Sequence, residues 1–217
     1  MGRREKSVVV LSGGLDSSTV AYWAKNQGYD VYAITYRYGQ IGRRETTSAS
    51  RIARRLGIPP KVVDLSSLKK IFGGTSLIDA KVPMTPDFSQ SIIVPFRNAI
   101  FLSIAVAYAT SLGAAVIFYG AQGSDATFYP DCRREFYKSF EKTAQLGTES
   151  SITVEAPFSS LSKSEVIKLG IKLGVPFQLT WSCYLNGKKH CGKCESCVNR
   201  KNAFREAGVD DPTEYFE

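Results

Sequence analysis

The feature that most constrains this chain is a short glycine turn near its N-terminus, Ser12-Gly13-Gly14-Leu15-Asp16-Ser17-Ser18. A β-branched run at residues 7–11 precedes the turn, and a helical pattern at residues 16–27 follows it. Where a strand passes through such a turn into a helix, unpaired N–H groups and the positive end of the helix dipole face the turn and bind phosphate. The turn therefore predicts an anion-binding loop within an α/β fold. The simplest alternative is a tight connection without a ligand.

Strand-like and helix-like segments alternate along most of the chain. This alternation is typical of parallel strands joined by crossover helices. We therefore expect an α/β fold with a doubly wound, mostly parallel sheet, interrupted by a long loop at residues 71–95. Further strands are predicted at residues 31–36, 61–65, 114–119 and 151–155, and further helices at residues 43–56, 98–112, 133–146, 162–173 and 199–207.

Four of the five cysteines lie close together near the C-terminus, at successive intervals of eight, three and three residues. Thiolates at this spacing can complete a tetrahedral shell around Zn²⁺, and a closed shell of four protein ligands is typical of a structural site. An iron–sulfur cluster and free thiols are the alternatives, but ligands from one local segment favour zinc. We expect residues 1–178 to form the α/β domain and residues 179–217 a small zinc-binding segment packed on it. The expected ligands are Cys183, Cys191, Cys194 and Cys197.

The remaining sulfur and imidazole groups are few. His190 is the only histidine, and we expect it to lie beside the zinc site or at the surface. The chain therefore does not use the common histidine general base. Cys132 stands apart from the cluster, and we expect a buried or loop thiol there rather than a nucleophile.

The formal net charge of +8 has two interpretations. It indicates either a solvated basic surface or a field that attracts nucleotides or nucleic acid, and charge alone does not separate them. No stretch is expected to reach the roughly 18 apolar residues of a membrane span. Residues 1–6 lack the apolar region of a signal peptide. We therefore expect a cytoplasmic protein without membrane association.

The glycine turn matches neither the Walker A pattern nor the dinucleotide fingerprint. Its Ser-Gly-Gly-x-Asp-Ser sequence, between a strand and a helix, resembles the PP-loop ATP pyrophosphatases. The resemblance implies a Rossmann-like fold of the adenine nucleotide alpha-hydrolase type, in which the loop holds ATP and the enzyme cleaves between the α- and β-phosphates. The segment 161–165 resembles the family's downstream element, whose lysine reaches an ATP phosphate. The ATP-binding residues that this implies are Val10, Leu11, Ser12, Gly13, Gly14, Leu15, Asp16, Ser17, Ser18, Thr19, Val20 and Lys163.

Polar and aromatic side chains follow the carboxyl ends of several predicted strands, where doubly wound folds bind their ligands. Arg97 and Arg133 suit an acidic group, and Asp131 suits the edge of a heterocycle. The alternatives are structural, because Arg97 could be a helix-terminal charge and Asn98 or Asp131 a helix cap. The candidate substrate-binding residues are Tyr38, Gln40, Arg97, Asn98, Tyr129, Asp131, Arg133 and Trp181.

Together with the cysteine spacing, segments 38–40, 94–98 and 129–133 resemble the 7-cyano-7-deazaguanine synthase family along nearly the whole chain. The resemblance implies that ATP activates the carboxylate of 7-carboxy-7-deazaguanine and that ammonia converts it to the amide. A second ATP then activates the amide oxygen, and its loss leaves the nitrile, which feeds queuosine or archaeosine formation in tRNA. The resemblance also implies Mg²⁺, zinc, a homodimer and no direct tRNA binding. The implied catalytic residues are Asp16, Lys163 and Arg97.

One departure and two alternatives accompany this resemblance. The family often has a basic residue and a histidine after Tyr-Gly-Gln, where this chain has Ile41 and Gly42. A tRNA thiolase of the PP-loop class is the nearest alternative, but it requires a reactive cysteine and only Cys132 is free of the cluster. A zinc-ribbon nucleic-acid-binding protein fits the basic charge but leaves the glycine turn unexplained.

Overall fold

The computed structural model describes residues 4–216, so residues 1–3 of the segment considered for a signal peptide lie outside it. Its centre is a five-stranded sheet in the order β3-β2-β1-β4-β5, and every strand pair is parallel. The order reverses direction between β1 and β4, which is the switch point where such sheets bind ligands. The doubly wound parallel sheet is therefore confirmed. The strands are β1 (Lys6–Val10), β2 (Asp30–Arg37), β3 (Pro60–Asp64), β4 (Val116–Phe118) and β5 (Thr153–Glu155).

Helices cover both faces of the sheet and form two apolar cores. The core on one face contains buried residues of α1, α2, α7 and α8, and the core on the other contains those of α4 and α6. Each face of a parallel sheet must be covered in this way because its strands are apolar on both sides. The helices are α1 (Leu15–Asn26), α2 (Arg44–Arg55), α3 (Lys69–Phe72), α4 (Arg97–Leu112), α5 (Asp125–Phe128), α6 (Arg134–Thr148), α7 (Lys163–Lys172) and α8 (Glu195–Ala207).

Most element boundaries agree with the sequence prediction within a few residues, and the C-terminal helix is the main exception. We expected it at residues 199–207, but it begins at Glu195 and includes Cys197 in its first turns. The sequence did not indicate this start because residues 195–198 show no apolar helical periodicity. The long loop at residues 71–95 is largely irregular, with a single 3-10 turn at Gln90–Ile92.

Helix α4 corrects the expectation that no stretch is apolar enough to cross a membrane. By length and composition alone, Gln90–Leu112 could do so. The segment begins as a 3-10 turn, and the α-helix starts only at Arg97. Ala99, Leu102 and Ala105 are buried where α4 packs on the sheet. The apolar character of this segment therefore belongs to the protein core.

Two glycines bring the loops at the switch point together. Gly13 has a φ of +87°, and a Cβ there would lie 2.3 Å from the carbonyl oxygen of Glu45 in α2. A Cβ on Gly120, just after β4, would lie 2.8 Å from the backbone nitrogen of Ser17. Only glycine allows these approaches. The loop after β1 is thus held between the first turn of α2 and the loop after β4.

Candidate functional site

A cavity of about 250 Å³ opens at this meeting point of the loops. Its walls come from the loop after β1, the end of β2, the first turns of α2 and α4, and the segment after β4. The cavity therefore lies at the switch point, as the fold predicts. The predicted site residues that line it are Val10, Leu11, Ser12, Gly14, Asp16, Ser17, Tyr38, Arg97, Asn98 and Tyr129.

The glycine turn forms one end of the cavity. The hydroxyl groups of Ser12 and Ser17 lie 2.9 Å apart, and Ser17 Oγ also accepts a hydrogen bond from the backbone N–H of Ser12 at 3.2 Å. These hydroxyls and the N-terminus of α1 offer several donors at one place. Ser18, Thr19 and Val20 are buried instead and do not line the cavity. The members of the predicted set that line the cavity therefore lie between residues 10 and 17.

Lys163 reaches the glycine turn from the start of α7. Its Nζ lies 3.5 Å from Asp16 Oδ2. Burial lowers the pKa of Lys163, but Asp16, Asp125 and Glu195 more than offset this effect, so the net pKa is raised and the ammonium persists. The predicted capping box of Ser162 and Glu165 is also present. The capping box fixes the start of α7, and Lys163 extends from that start towards Asp16, so both contacts occur together.

Asp125 is a cavity residue that sequence reasoning did not select. Burial raises the pKa of Asp125 to about 6. The Lys163 charge opposes this rise, and repulsion from Asp16 adds to it. Asp16 Oδ1 is buried without a hydrogen-bond partner among the described residues. Both Asp125 oxygens accept hydrogen bonds from Gln122, so the unpartnered oxygen is on Asp16. Two carboxylates next to a phosphate-type loop suit Mg²⁺, which prefers oxygen ligands. Its position in the sequence could have identified Asp125 as a site residue, since it follows β4 as Asp16 follows β1.

The opposite end of the cavity is built around Arg97. Its Nη1 donates a hydrogen bond of 3.0 Å to Tyr38 Oη. Burial lowers the pKa of Arg97, but Tyr38, Glu45 and Asp131 together raise the net pKa, so the guanidinium is held charged. Burial raises the pKa of Tyr38 to about 12 despite the nearby Arg97 charge. Phe101 and Tyr129 add aromatic surface nearby. This end therefore offers one fixed positive charge within a partly aromatic wall.

The other predicted substrate residues serve contacts outside the cavity wall. Gln40 closes its own turn, accepting from the Tyr38 N–H at 2.9 Å and donating to Tyr36 O at 3.2 Å. Asp131 Oδ2 accepts from the Asn98 N–H at 3.0 Å and so caps α4, rather than the helix that follows it in sequence. Arg133 is exposed, and its Nε donates to a backbone carbonyl.

The four clustered cysteines meet near the C-terminus. Their sulfur atoms all lie within 4.8 Å of one another, and those of Cys191 and Cys197 are 3.9 Å apart. Tetrahedral zinc with Zn–S bonds of about 2.3 Å needs sulfur separations of roughly 3.8 Å. Backbone N–H groups of Leu185 and Cys194 point at the sulfurs of Cys183 and Cys191. Such donors stabilise thiolates, so the donor set fits a structural zinc ion.

His190 is buried beside this cluster. Its Nε2 accepts a hydrogen bond of 3.0 Å from the Ser182 N–H, and its ring packs 4.1 Å from Trp181. Burial lowers the pKa of His190 to about 4, so the ring is neutral. This arrangement supports the segment that carries the four clustered cysteines, which we call the cysteine knot. It leaves the cavity without an imidazole.

The cysteine knot is tied directly to the glycine turn. The N–H of Trp181 donates to Gly13 O at 2.9 Å, and its indole donates to Cys183 O at 2.7 Å. Arg200 in α8 is fully buried and binds Asp211 at 3.0 Å and Thr180 Oγ1 at 2.7 Å. Trp181, predicted to bind substrate, therefore connects the knot to the loop.

Comparisons with known proteins agree with this architecture. The family model described as "Queuosine biosynthesis protein QueC" matches residues 6–208. A relative from Thermoplasma acidophilum, named 7-cyano-7-deazaguanine synthase, is 45% identical over 221 residues, covering 98% of this chain and 92% of the relative. One of the same name from Legionella pneumophila (strain Paris) is 46% identical over 224 residues and covers 97% of each chain.

Among solved structures, the NH3-dependent NAD synthetase from Campylobacter jejuni has a TM-score of 0.54 and 19% identity, over 82% of this chain and 68% of that one. This similarity shows the shared fold alone. The match to the family model and the two relatives spans nearly the full chain. The chain therefore belongs to the family described as queuosine biosynthesis protein QueC.

Proposed function

We propose that this chain is an ATP-dependent ligase that converts 7-carboxy-7-deazaguanine and ammonia to 7-cyano-7-deazaguanine. The observation that carries the proposal is a single cavity with a phosphate-type loop at one end and buried Arg97 at the other. A substrate carboxylate held at Arg97 would face the α-phosphate of ATP held at the loop. The name shared by the relatives supports this assignment.

In this proposal, each end of the cavity performs one part of the adenylation. Ser12, Gly14 and Ser17 bind phosphate oxygens through hydroxyl and N–H donors. Lys163 places a fixed positive charge where pyrophosphate develops negative charge, which is the kind of electrostatic help that speeds phosphoryl chemistry. Asp16 and Asp125 would hold Mg²⁺, which neutralises phosphate charge when it is bound.

The remaining walls would orient the heterocycle. Tyr129 is half-buried, and Tyr184 is held by its hydroxyl at 2.7 Å from Glu195 Oε2. Rings fixed in this way can stack on a planar deazaguanine. Asn98 binds the backbone of Asp131 and lies at the start of α4 beside Arg97. Gln40, Asp131 and Arg133 would contribute indirectly, by shaping the loops around the cavity.

We also propose a metal content, a location and an oligomeric state for the protein. Zinc would hold residues 179–217 as a segment packed on the domain of residues 1–178, in a cytoplasmic enzyme serving queuosine or archaeosine formation. A homodimer is supported by Phe96, which is 67% exposed, directly precedes α4 and lies beside Phe136 of α6. Sedimentation should then return twice the mass of the chain, and a monomer at micromolar concentration would remove the dimer.

A tRNA thiolase is disfavoured by the environment of Cys132. Burial raises the pKa of this thiol far above its ordinary value, and Asn98 lies 3.5 Å from its sulfur. A thiol held protonated is a poor nucleophile. Replacing Cys132 by alanine should preserve nitrile formation, whereas loss of turnover in a folded variant would support a sulfur route.

The proposed function is tested by incubating the protein with ATP, Mg²⁺, ammonium and 7-carboxy-7-deazaguanine. Mass spectrometry should detect the nitrile together with AMP and pyrophosphate. A reaction that stops at the amide would mean a related ligase of narrower scope. Unchanged substrate, with ATP still bound, would contradict the proposal.

A further inference from the structure

The proposed reaction passes two ligands of different charge through one cavity. The carboxylate substrate is an anion, whereas the amide formed from it is neutral. Arg97 remains charged throughout, because its surroundings raise its pKa. A fixed cation in a half-buried site favours the anion and offers nothing that accepts a proton. Another group must therefore adjust the charge of the cavity to each ligand and accept the protons that leave the substrate nitrogen.

Glu45 is placed to do this. It lies in the first turn of α2, it is half-buried, and it lines the cavity together with Arg97, whose charge acts on it. The Gly13 backbone packs directly behind it, so its position relative to the phosphate-type loop is fixed. The groups that face it are the Arg97 guanidinium from α4, and the Tyr38 phenol and Gln40 amide from the loop after β2.

Burial raises the pKa of Glu45 to about 7, although the Arg97 charge and a hydrogen bond from Gln40 oppose the rise. On its own helix, Arg43 and Arg44 are exposed and lie outside the cavity wall. A carboxyl group poised in this way exchanges its proton readily at neutral pH, as general acid–base catalysis requires.

The tyrosines that line the cavity all have a raised pKa and keep their protons at neutral pH. The following carboxyl, thiol and imidazole groups are engaged elsewhere. Asp125 lies at the phosphate end, where the charges of Lys163 and Asp16 act on it. The Cys132 thiol is held protonated by burial. His190, the only histidine, is buried at the cysteine knot. Asp131 also acts on the Arg97 charge, but it lies outside the cavity wall and its Oδ2 accepts from the Asn98 N–H. Glu45 is thus the carboxyl group of the cavity wall beside the fixed positive charge.

We propose that Glu45 is the proton-exchanging residue of this cavity, protonated while the carboxylate substrate is bound and ionised to accept N–H protons when the amide and then the nitrile form. This inference rests on the proposed function. When the carboxylate occupies the site, two carboxyl groups share the Arg97 charge, and Glu45 takes up a proton. When adenylation removes the substrate's charge, Glu45 releases that proton and becomes a base.

The bonds and protons balance in both stages. In the first, the ammonia nitrogen bonds to the acyl carbon, the bond to AMP breaks, and AMP leaves with the electron pair while Glu45 accepts an N–H proton. In the second, the amide oxygen bonds to the α-phosphate of ATP and pyrophosphate leaves, so the adenylated nitrogen still carries two N–H protons. One of these protons goes to water. The last goes to Glu45 as the carbon–oxygen bond breaks, AMP leaves with the electron pair and the carbon–nitrogen triple bond forms. Water takes the proton from Glu45 between stages.

The first test measures proton uptake on binding, which does not depend on turnover. Calorimetry at pH 8, in buffers of different ionisation enthalpy, should show uptake of roughly one proton when the wild type binds the carboxylate substrate. The amide should bind without uptake, and Glu45→Gln should take up none with either ligand. Arg51→Gln, an exposed change on the same helix, is the control and should behave as wild type.

The second test separates adenylation from proton removal. Without ammonia, Glu45→Gln should retain carboxylate-dependent exchange of labelled pyrophosphate into ATP within about tenfold, since that step removes no N–H proton. Conversion of the amide to the nitrile should fall roughly 100-fold or more. In the wild type this conversion should decline as pH falls below about 7, and Glu45→Asp should recover part of it.

Each contrary result has a distinct meaning. If Glu45→Gln lost exchange and nitrile formation equally, with an unchanged pH profile, Glu45 would only position Arg97 and the inference would be wrong. If Glu45→Gln kept nitrile formation within about tenfold of wild type, no proton acceptor would be needed there. If the wild type itself showed neither exchange nor nitrile, the proposed function would fail instead.

Discussion

Individual residues at the cavity have pKa values that their surroundings have shifted. Glu45 is the clearest case, because a half-buried carboxylate loses much of its hydration and only partly recovers it from Arg97 and Gln40. Lys163 is the opposite case, since nearby carboxylates stabilise its charge. These shifts have consequences for stability and for catalysis that can be measured separately.

The raised pKa of Glu45 predicts a pH-dependent effect on stability. A carboxyl group whose pKa is higher in the folded state destabilises that state when it ionises, so the penalty is absent below about 4.5 and complete above about 7. Glu45→Gln should therefore raise the free energy of unfolding at pH 8, by an amount on the order of 1–3 kcal/mol. Near pH 4 the variant and the wild type should unfold alike. Denaturant titrations at both pH values measure this, and equal stability at pH 8 would contradict it.

Lys163 predicts a loss of chemistry without a loss of fold. Lys163→Ala should reduce AMP release roughly 100-fold or more, because the developing pyrophosphate charge loses its partner. The melting temperature should stay within about 3 °C, since the side chain is not in an apolar core. Lys168→Ala is the matched control, being an exposed lysine on the same helix. Equal activity of the two variants would remove Lys163 from the site.

Many individual residues of the site could be predicted from the sequence. The glycine turn, Arg97 and the cysteine spacing were found because local order along the chain fixes their geometry. Asp125 was not found, and Asp131 was considered as a cap but not as the cap of α4, since both depend on which loops meet across the sheet. The place of Glu45 in the cavity wall, its burial and the effect of the Arg97 charge on it required the three-dimensional structure.

At the scale of elements, the first turn of α2 and the loop after β1 act as one unit. Gly13 makes this possible through its positive φ and its close approach to α2. The sequence predicted the strand, loop and helix separately, because each has a local pattern. It did not predict their packing distance, which depends on α2, about thirty residues further along the chain.

A pair of glycine variants tests this packing. Gly13→Ala would place a Cβ 2.3 Å from Glu45 O and 2.5 Å from the Ala49 nitrogen, so backbone must move. It should abolish ATP binding and cost more than about 3 kcal/mol of stability. Gly28→Ala has a similar φ of +91° but nothing within 4 Å, so only strain of about 1–2 kcal/mol is expected and ATP binding should persist. Calorimetry of ATP binding distinguishes the two, and equal effects would contradict the packing argument.

For the whole molecule, the cysteine knot and the ATP loop form a continuous structure. Trp181 bonds to Gly13, and buried Arg200 ties the segment before the knot to the tail at Asp211. Because Gly13 belongs to the glycine turn, disorder in the knot would reach the cavity. Zinc in this proposal is therefore structural, yet it influences ligand binding.

Loss of zinc should weaken both the fold and ATP binding. Cys191→Ser should lower the zinc content well below one ion per chain and lower the melting temperature by about 10 °C or more. ATP affinity should fall with it, through the contact of Trp181 with Gly13. Cys132→Ser is the control and should retain its zinc, because Cys132 lies outside the cluster. Metal analysis and melting curves decide this, and a metal-free Cys191→Ser of full stability would contradict the structural role.

The central claim is that substrate oxygen is transferred to the α-phosphate of ATP in this cavity, once for the carboxylate and once for the amide. The most direct measurement uses 7-carboxy-7-deazaguanine labelled with oxygen-18 in its carboxylate, with mass spectrometry of every product. We expect an unlabelled nitrile and two molecules of AMP, each carrying one labelled oxygen. Label in inorganic phosphate, or label released to water beside unlabelled AMP, would contradict it.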